Sequence, residues 1–77
     1  MKMFCISDDL DIAVGLKLTG IKSIILNEKS KIDEKIDEIV KDDSIGILII
    51  TNNIYQISNE KIDYIKNNRK LPLIVQI

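Results

Sequence analysis

A chain of 77 residues has room for one hydrophobic core and not two, because a domain of this size buries only about 60% of the surface its unfolded chain exposes. Its 11 basic and 12 acidic residues leave a formal charge of −1, with the signs interleaved, so no basic stripe is present to neutralise a phosphate backbone and nucleic acid is not an expected partner. One cysteine and no histidine exclude an internal disulfide and a structural zinc site, and no stretch approaches the roughly 18 apolar residues of a membrane span.

Met3-Phe4-Cys5-Ile6 is apolar without polar alternation, as a strand covered on both faces requires. Cys5 in this run reads as a small, inert hydrophobe. Asp8 or Asp9 can then cap a helix by accepting from its free N–H groups, and Leu10, Ala13, Val14 and Leu18 follow at helical spacing. Gly20 is suited to close that helix, whereas Gly15 lies inside it at a cost of up to about 1 kcal/mol, which points to close backbone packing there.

Ser23 to Leu26 is a second strand, followed by the polar break Asn27 to Lys29. In the next helix Ser30 is the expected N-cap, with Asp33 three residues on, and Ile32, Ile36, Ile39 and Val40 form the apolar stripe. Lys31, Glu34, Lys35, Asp37, Glu38 and Lys41 make its solvated face. Ile45 to Ile50 is the most apolar run and the expected central strand. A helical stretch from Ile54 is expected to break or kink near Ser58, where Ser58 and Asn59 offer a second capping point, with Ile62 and Ile65 facing inward. The basic run Lys66 to Lys70 reads as a solvated loop, and Leu71 to Ile77 as the fourth strand, with Pro72 near its start where a missing N–H disturbs the ladder least.

This order predicts an α/β domain over residues 1–77, a small doubly wound, four-stranded parallel sheet in the order 2-1-3-4 with three crossover helices, like a receiver or Rossmann-like fold. Ligands of such sheets bind beyond the carboxyl ends of the strands where the order reverses, here at Ser7, Asp8 and Asp9 and at Thr51, Asn52 and Asn53. A receiver domain holds Mg²⁺ with such an acidic pair, but its phosphoacceptor aspartate is replaced by Thr51-Asn52-Asn53, and an amide cannot be phosphorylated. Asp8 and Asp9 therefore read first as helix caps. There is no glycine-rich phosphate loop, no histidine to activate a nucleophile, and no positive feature for a small-molecule site. No cofactor, metal or catalytic residue is expected.

Three stretches together resemble the F subunit of the V-type and A-type rotary ATPases: Gly15-Leu16-Lys17-Leu18-Thr19-Gly20-Ile21, Ile45-Gly46-Ile47-Leu48-Ile49-Ile50-Thr51 leading into a helix that opens with Ile54, and Arg69-Lys70-Leu71-Pro72-Leu73-Ile74-Val75. The resemblance covers the whole chain. It implies a non-catalytic part of the central rotor stalk, cytoplasmic and peripheral to the membrane, whose N-terminal doubly wound domain is followed by a C-terminal helix packed on the coiled coil of the stalk's D subunit. The sequence ends on Gln76-Ile77, before such a helix, so residues 1–77 are expected to be the N-terminal domain of a slightly longer protein. The expected docking surface lies around the carboxyl end of the last strand, with Ile54, Tyr55, Leu71, Gln76 and Ile77 as its candidates and the coiled-coil D subunit and other stalk subunits as partners. The alternative is a degenerate receiver-like signalling domain.

Overall fold

Short apolar strands separated by helices cannot pair as hairpins and must lie parallel, each crossover placing a helix on the sheet. In the computed structural model, which describes residues 1–77, the elements run β1 (Lys2–Ser7), α1 (Leu10–Leu18), β2 (Lys22–Ile25), α2 (Lys29–Lys41), β3 (Ile45–Ile50), α3 (Asn52–Ile57), α4 (Asn59–Asn68) and β4 (Leu73–Gln76). All neighbouring strands are parallel, in the order β2-β1-β3-β4, as the sequence predicts. The register between β1 and β3 shifts by one residue, Lys2 pairing with Ile45 and Met3 with Ile47. Gly46 is the extra residue of this bulge, and the Met1 side chain occupies the space a Cβ there would need.

The core is one-sided. Phe4, Ile6, Leu48 and Ile50 line one sheet face and pack against Ile32, Ile36 and Ile39 of α2, Ile54 of α3, and Ile62 and Ile65 of α4. On the opposite face α1 buries Ala13 alone, over the small side chains Cys5, Ser7 and Ser23, which are almost wholly enclosed. Burial pushes the Cys5 thiol up, only partly offset by Ser23, as befits an inert core cysteine.

Four details differ from expectation. The expected break near Ser58 is complete, so that residue ends α3 and begins α4 and the third crossover counts as two helices rather than one. The Ser58 hydroxyl is buried and makes no cap bond; it faces the Asp33 carboxylate instead. Burial would raise that carboxyl, yet Lys29 and Ser58 hold it below the ordinary value. Second, α2 starts at Lys29 rather than behind a Ser30 cap, because the Glu28 carbonyl already accepts from Ile32 N–H at 2.9 Å; Asp33 pairs with Lys29 Nζ at 2.8 Å instead of completing a capping box. Third, β4 spans only Leu73–Gln76, since Pro72, which follows a cis peptide bond, has no N–H to join the ladder. Fourth, apart from the backbone of its own helix and its chain neighbours, nothing lies within 4 Å of where a side chain at Gly15 would begin, so the close packing expected there is not made by another element of the chain, while Gly20 does close α1 at φ +89.

Candidate functional site

The point where strand order reverses lies between β1 and β3, and the two loops leaving it face each other. Ser7 Oγ accepts from Asp9 N–H at 2.8 Å and donates to the Asp9 carbonyl at 2.9 Å, a tight turn that presents the next two carboxylates differently. Asp9 Oδ1 accepts from the N–H groups of Asp11 at 2.8 Å and Ile12 at 3.2 Å; of the two candidates, it is the cap of α1. Asp8 points across the reversal. Thr51 Oγ1 donates to its Oδ1 at 2.6 Å and Asn53 Nδ2 to its Oδ2 at 2.7 Å. These two bonds, Thr51 foremost, hold the Asp8 carboxyl below its ordinary value, because both favour the charged form.

The same end of the sheet is knitted further by β4. Asn52 N–H donates to the Ile77 carbonyl at 3.1 Å and Ile77 N–H to that of Ile50 at 2.9 Å, while Gln76 Nε2 donates to Asn52 Oδ1 at 2.9 Å. Asp8, Asp9, Ile12, Thr51, Asn52, Asn53 and Ile77 thus line a shallow depression whose polar groups are engaged with one another. No three His, Cys, Asp or Glu side chains converge as metal ligands. A small anion entering here would meet two carboxylates; a cation would have to displace the Thr51 and Asn53 bonds from Asp8.

The candidate docking residues do not form one patch. Gln76 and Ile77 lie at this depression, Ile77 being 49% exposed. Leu71 sits at the opposite end of the sheet, beside Val40, Ile45, Arg69 and Pro72. There Arg69 donates to the carbonyls of Leu71 at 3.3 Å and Val40 at 3.4 Å, so the turn after α4 is tied to the end of α2, while Lys66 to Asn68 of the expected loop are instead the last turn of α4. Tyr55 lies on the helical side: its hydroxyl donates to Asp63 at 2.8 Å, which raises its pKa, and Lys66 Nζ stands 5.4 Å from its ring centre. Ile54 is fully buried and belongs to the core, because the α3 turn begun by Thr51 aims it at the sheet.

A row of exposed apolar side chains on α1 and β4 is not among the residues the sequence singles out as candidates. Leu10, Val14 and Leu18, which follow at helical spacing in the sequence, are 62%, 46% and 84% exposed, and Leu73 and Val75 are 56% and 44% exposed. The signal available was arithmetic: three crossovers in the order 2-1-3-4 leave only one helix for one of the faces.

A sequence model described as ATP synthase (F/14-kDa) subunit matches residues 3–77. In three dimensions the chain is similar to the crystal structure of the F subunit of the V-type ATP synthase from Archaeoglobus fulgidus, with a TM-score of 0.72 and 18% identity over 99% of this chain and 96% of that one. No match was found among curated proteins.

Proposed function

This chain belongs to the ATP synthase (F/14-kDa) subunit family, and we propose that, within a V/A-type rotary ATPase, it serves as a non-catalytic part of the central stalk. In this reading it docks on the coiled-coil D subunit and helps to couple ATP synthesis or hydrolysis to ion translocation. Residues 1–77 are its globular N-terminal domain, held at the cytoplasmic side of the membrane through its partners in the stalk; no helix here is long and apolar enough to cross a membrane.

The observation that carries this reading is the state of the depression at the strand reversal. A doubly wound fold does its chemistry there, yet Asp8 commits both carboxylate oxygens to Thr51 and Asn53 and Asp9 commits one to the backbone of α1. Side chains engaged in holding loops together support binding through surface rather than through a reactive group. The receiver-like alternative loses its footing on the same bonds.

Gln76 and Ile77 are the proposed contacts with the D subunit, with Leu71 and Tyr55 as outlying candidates; Ile54 acts only by seating α3. Calorimetric titration with the purified coiled-coil partner tests this. The chain is expected to bind, to bind about tenfold more weakly as the Gln76→Ala, Ile77→Asp variant, and to hydrolyse no ATP alone. A longer chain bearing a C-terminal helix is expected to bind more tightly. Absence of any complex with the longer chain would overturn the docking reading, and ATP turnover by the chain alone would overturn the non-catalytic one.

A further inference from the structure

Charges that alternate along the sequence separate once the chain folds. Each crossover returns the chain against the strand direction, so helix ends and strand starts gather beyond the amino ends of the strands. α1 brings Lys17 to that end, α2 brings Lys41 and α4 brings Lys66, each in its last turn. Lys2 and Lys22 begin β1 and β2, and Arg69 and Lys70 lie between α4 and β4. Against these cations stand Glu38, Asp42 and Asp43. The other end of the sheet is acidic, with Asp8, Asp9, Asp11, Glu28 and Glu60 beside Lys29, Lys31 and Lys61.

Basic side chains in the last turn of a helix offset its macrodipole, which accounts for Lys17, Lys41 and Lys66. It does not account for Lys2, Lys22 and Lys70, which lie outside helices. The ion pairs of the structure are made by Lys29, Lys35 and Lys61, so none of the cations gathered by the helix ends and strand starts is committed to a carboxylate. Between β1, β2 and α2 this end is hollow: a cleft of about 200 Å³ is lined by Phe4, Ile39 and Ile45 and rimmed by Lys2, Lys22 and Lys35. Lys35 Nζ stands 5.3 Å and Lys22 Nζ 6.0 Å from the centre of the Phe4 ring. Glu38 and Asp42 complete the rim, Glu38 paired with Lys35 at 3.0 Å and Asp42 accepting from Ser44.

We propose that this cleft receives an acidic segment of a partner protein, whose carboxylates meet Lys2 and Lys22 while an apolar side chain between them enters toward Phe4, Ile39 and Ile45. Complementary charge of this kind steers encounter and selects the partner, and an apolar anchor in a pocket slows its departure. A protein segment fits better than a phosphate backbone or an anionic bilayer. Glu38, Asp42 and Asp43 stand among the lysines and repel a uniformly negative surface, whereas a peptide can place its carboxylates between them. The apolar lining, moreover, has no counterpart in a phosphate backbone, and a concave site does not insert into lipid. The cleft lies at the opposite end of the sheet from Gln76 and Ile77, so the contact is separate from docking on the D subunit and stands whether or not that reading holds.

The test is an amide-resonance titration of the 77-residue chain with a blocked heptapeptide of three glutamates, one leucine and three glutamates. Shifts are expected at Lys2, Phe4, Lys22 and Ile45, with a dissociation constant of about 0.1 to 1 mM. Affinity should fall about tenfold between about 20 and about 200 mM salt, as screening shortens. Lys2→Glu and Lys22→Glu should each weaken binding about tenfold. Lys31→Glu makes the same charge change on an exposed side chain in the first turn of α2, and should alter binding by less than about twofold because screening confines the effect to the cleft. Circular dichroism checks that each variant is folded. Replacing the peptide's leucine with serine should weaken binding about fivefold, through the lost apolar burial. No binding at millimolar peptide, or a loss in Lys31→Glu as large as that in Lys22→Glu, would overturn the proposal. Equal affinity for the serine peptide would overturn the place given to the cleft. Tighter binding to phosphatidylserine vesicles or to duplex DNA than to the peptide would also overturn it, and assign this end to a phosphate-bearing surface.

Discussion

Asp8 and Thr51, 43 residues apart in the chain, share a 2.6 Å hydrogen bond that joins the ends of β1 and β3. With Asn53 on the other carboxylate oxygen, it fixes the two loops that a ligand-binding relative of this fold would leave open. Asp8→Asn removes the charge from both bonds and should lower stability by about 1 kcal/mol, less than a buried charged hydrogen bond because water screens the site. Urea unfolding measures it; an unchanged midpoint would show that the bonds contribute nothing.

Asp8 also sets part of the pH response. Its folded pKa lies below the ordinary value of 3.8, as do those of Asp33 and Asp42. A depressed carboxyl binds protons more weakly folded than unfolded, so its stabilisation is complete above the unfolded pKa and is lost as pH falls through the folded one. The midpoint of urea unfolding is therefore expected to be flat near neutrality and to fall below about pH 4. Asp8→Asn should make that fall shallower, whereas an equal slope in variant and native chain would assign the acid response to other groups.

Asp9→Ala removes the side-chain acceptor from two free N–H groups of α1 and should cost about 1 kcal/mol. Because α1 buries a single side chain, much of this loss is expected as local opening. Amide exchange would then accelerate across α1 while β3 and α2 keep their protection.

The helical side should respond quite differently. Ile36 is fully enclosed, and Ile36→Ala should cost about 3 kcal/mol in lost transfer and cavity formation, a large share of the stability of a domain this small. By contrast the Lys61–Asp37 pair, 2.7 Å long and with the aspartate 56% exposed, joins α4 to α2 at the surface. Lys61→Met should cost no more than about 0.5 kcal/mol, and less at high salt. Thermal unfolding at two salt concentrations separates the two cases.

Strand order and helical direction were legible in the sequence because Met3 to Ile6, Ser23 to Leu26 and Ile45 to Ile50 are too short for helices and handed crossovers leave few topologies. The break at Ser58 was legible as well. The cap of α2 was not: Ser30 has the right chemistry, but the point where the chain leaves β2 already allows a helical bond from Ile32 to Glu28. Nor was the inward side of α1, because Leu10, Val14 and Leu18 repeat as regularly as Ile12, Ala13 and Leu16, and periodicity does not say which row meets the sheet. The Asp8 bonds to Thr51 and Asn53 join residues whose proximity only the completed sheet creates. Identifying the depression from topology was possible; seeing that its side chains satisfy one another was not.

With the isoleucine core on one side of the sheet and a single lightly seated helix on the other, sequence change will not be tolerated evenly. Replacements among Ile32, Ile36, Ile39, Ile62 and Ile65 strike packing on which folding depends. The outward row of α1 can drift without unfolding the domain, constrained only by whatever it touches. Across descendants of this chain, substitution rates on the two sides should diverge, and a slow rate at Leu10, Val14 and Leu18 would be the mark of selection for contact rather than for folding.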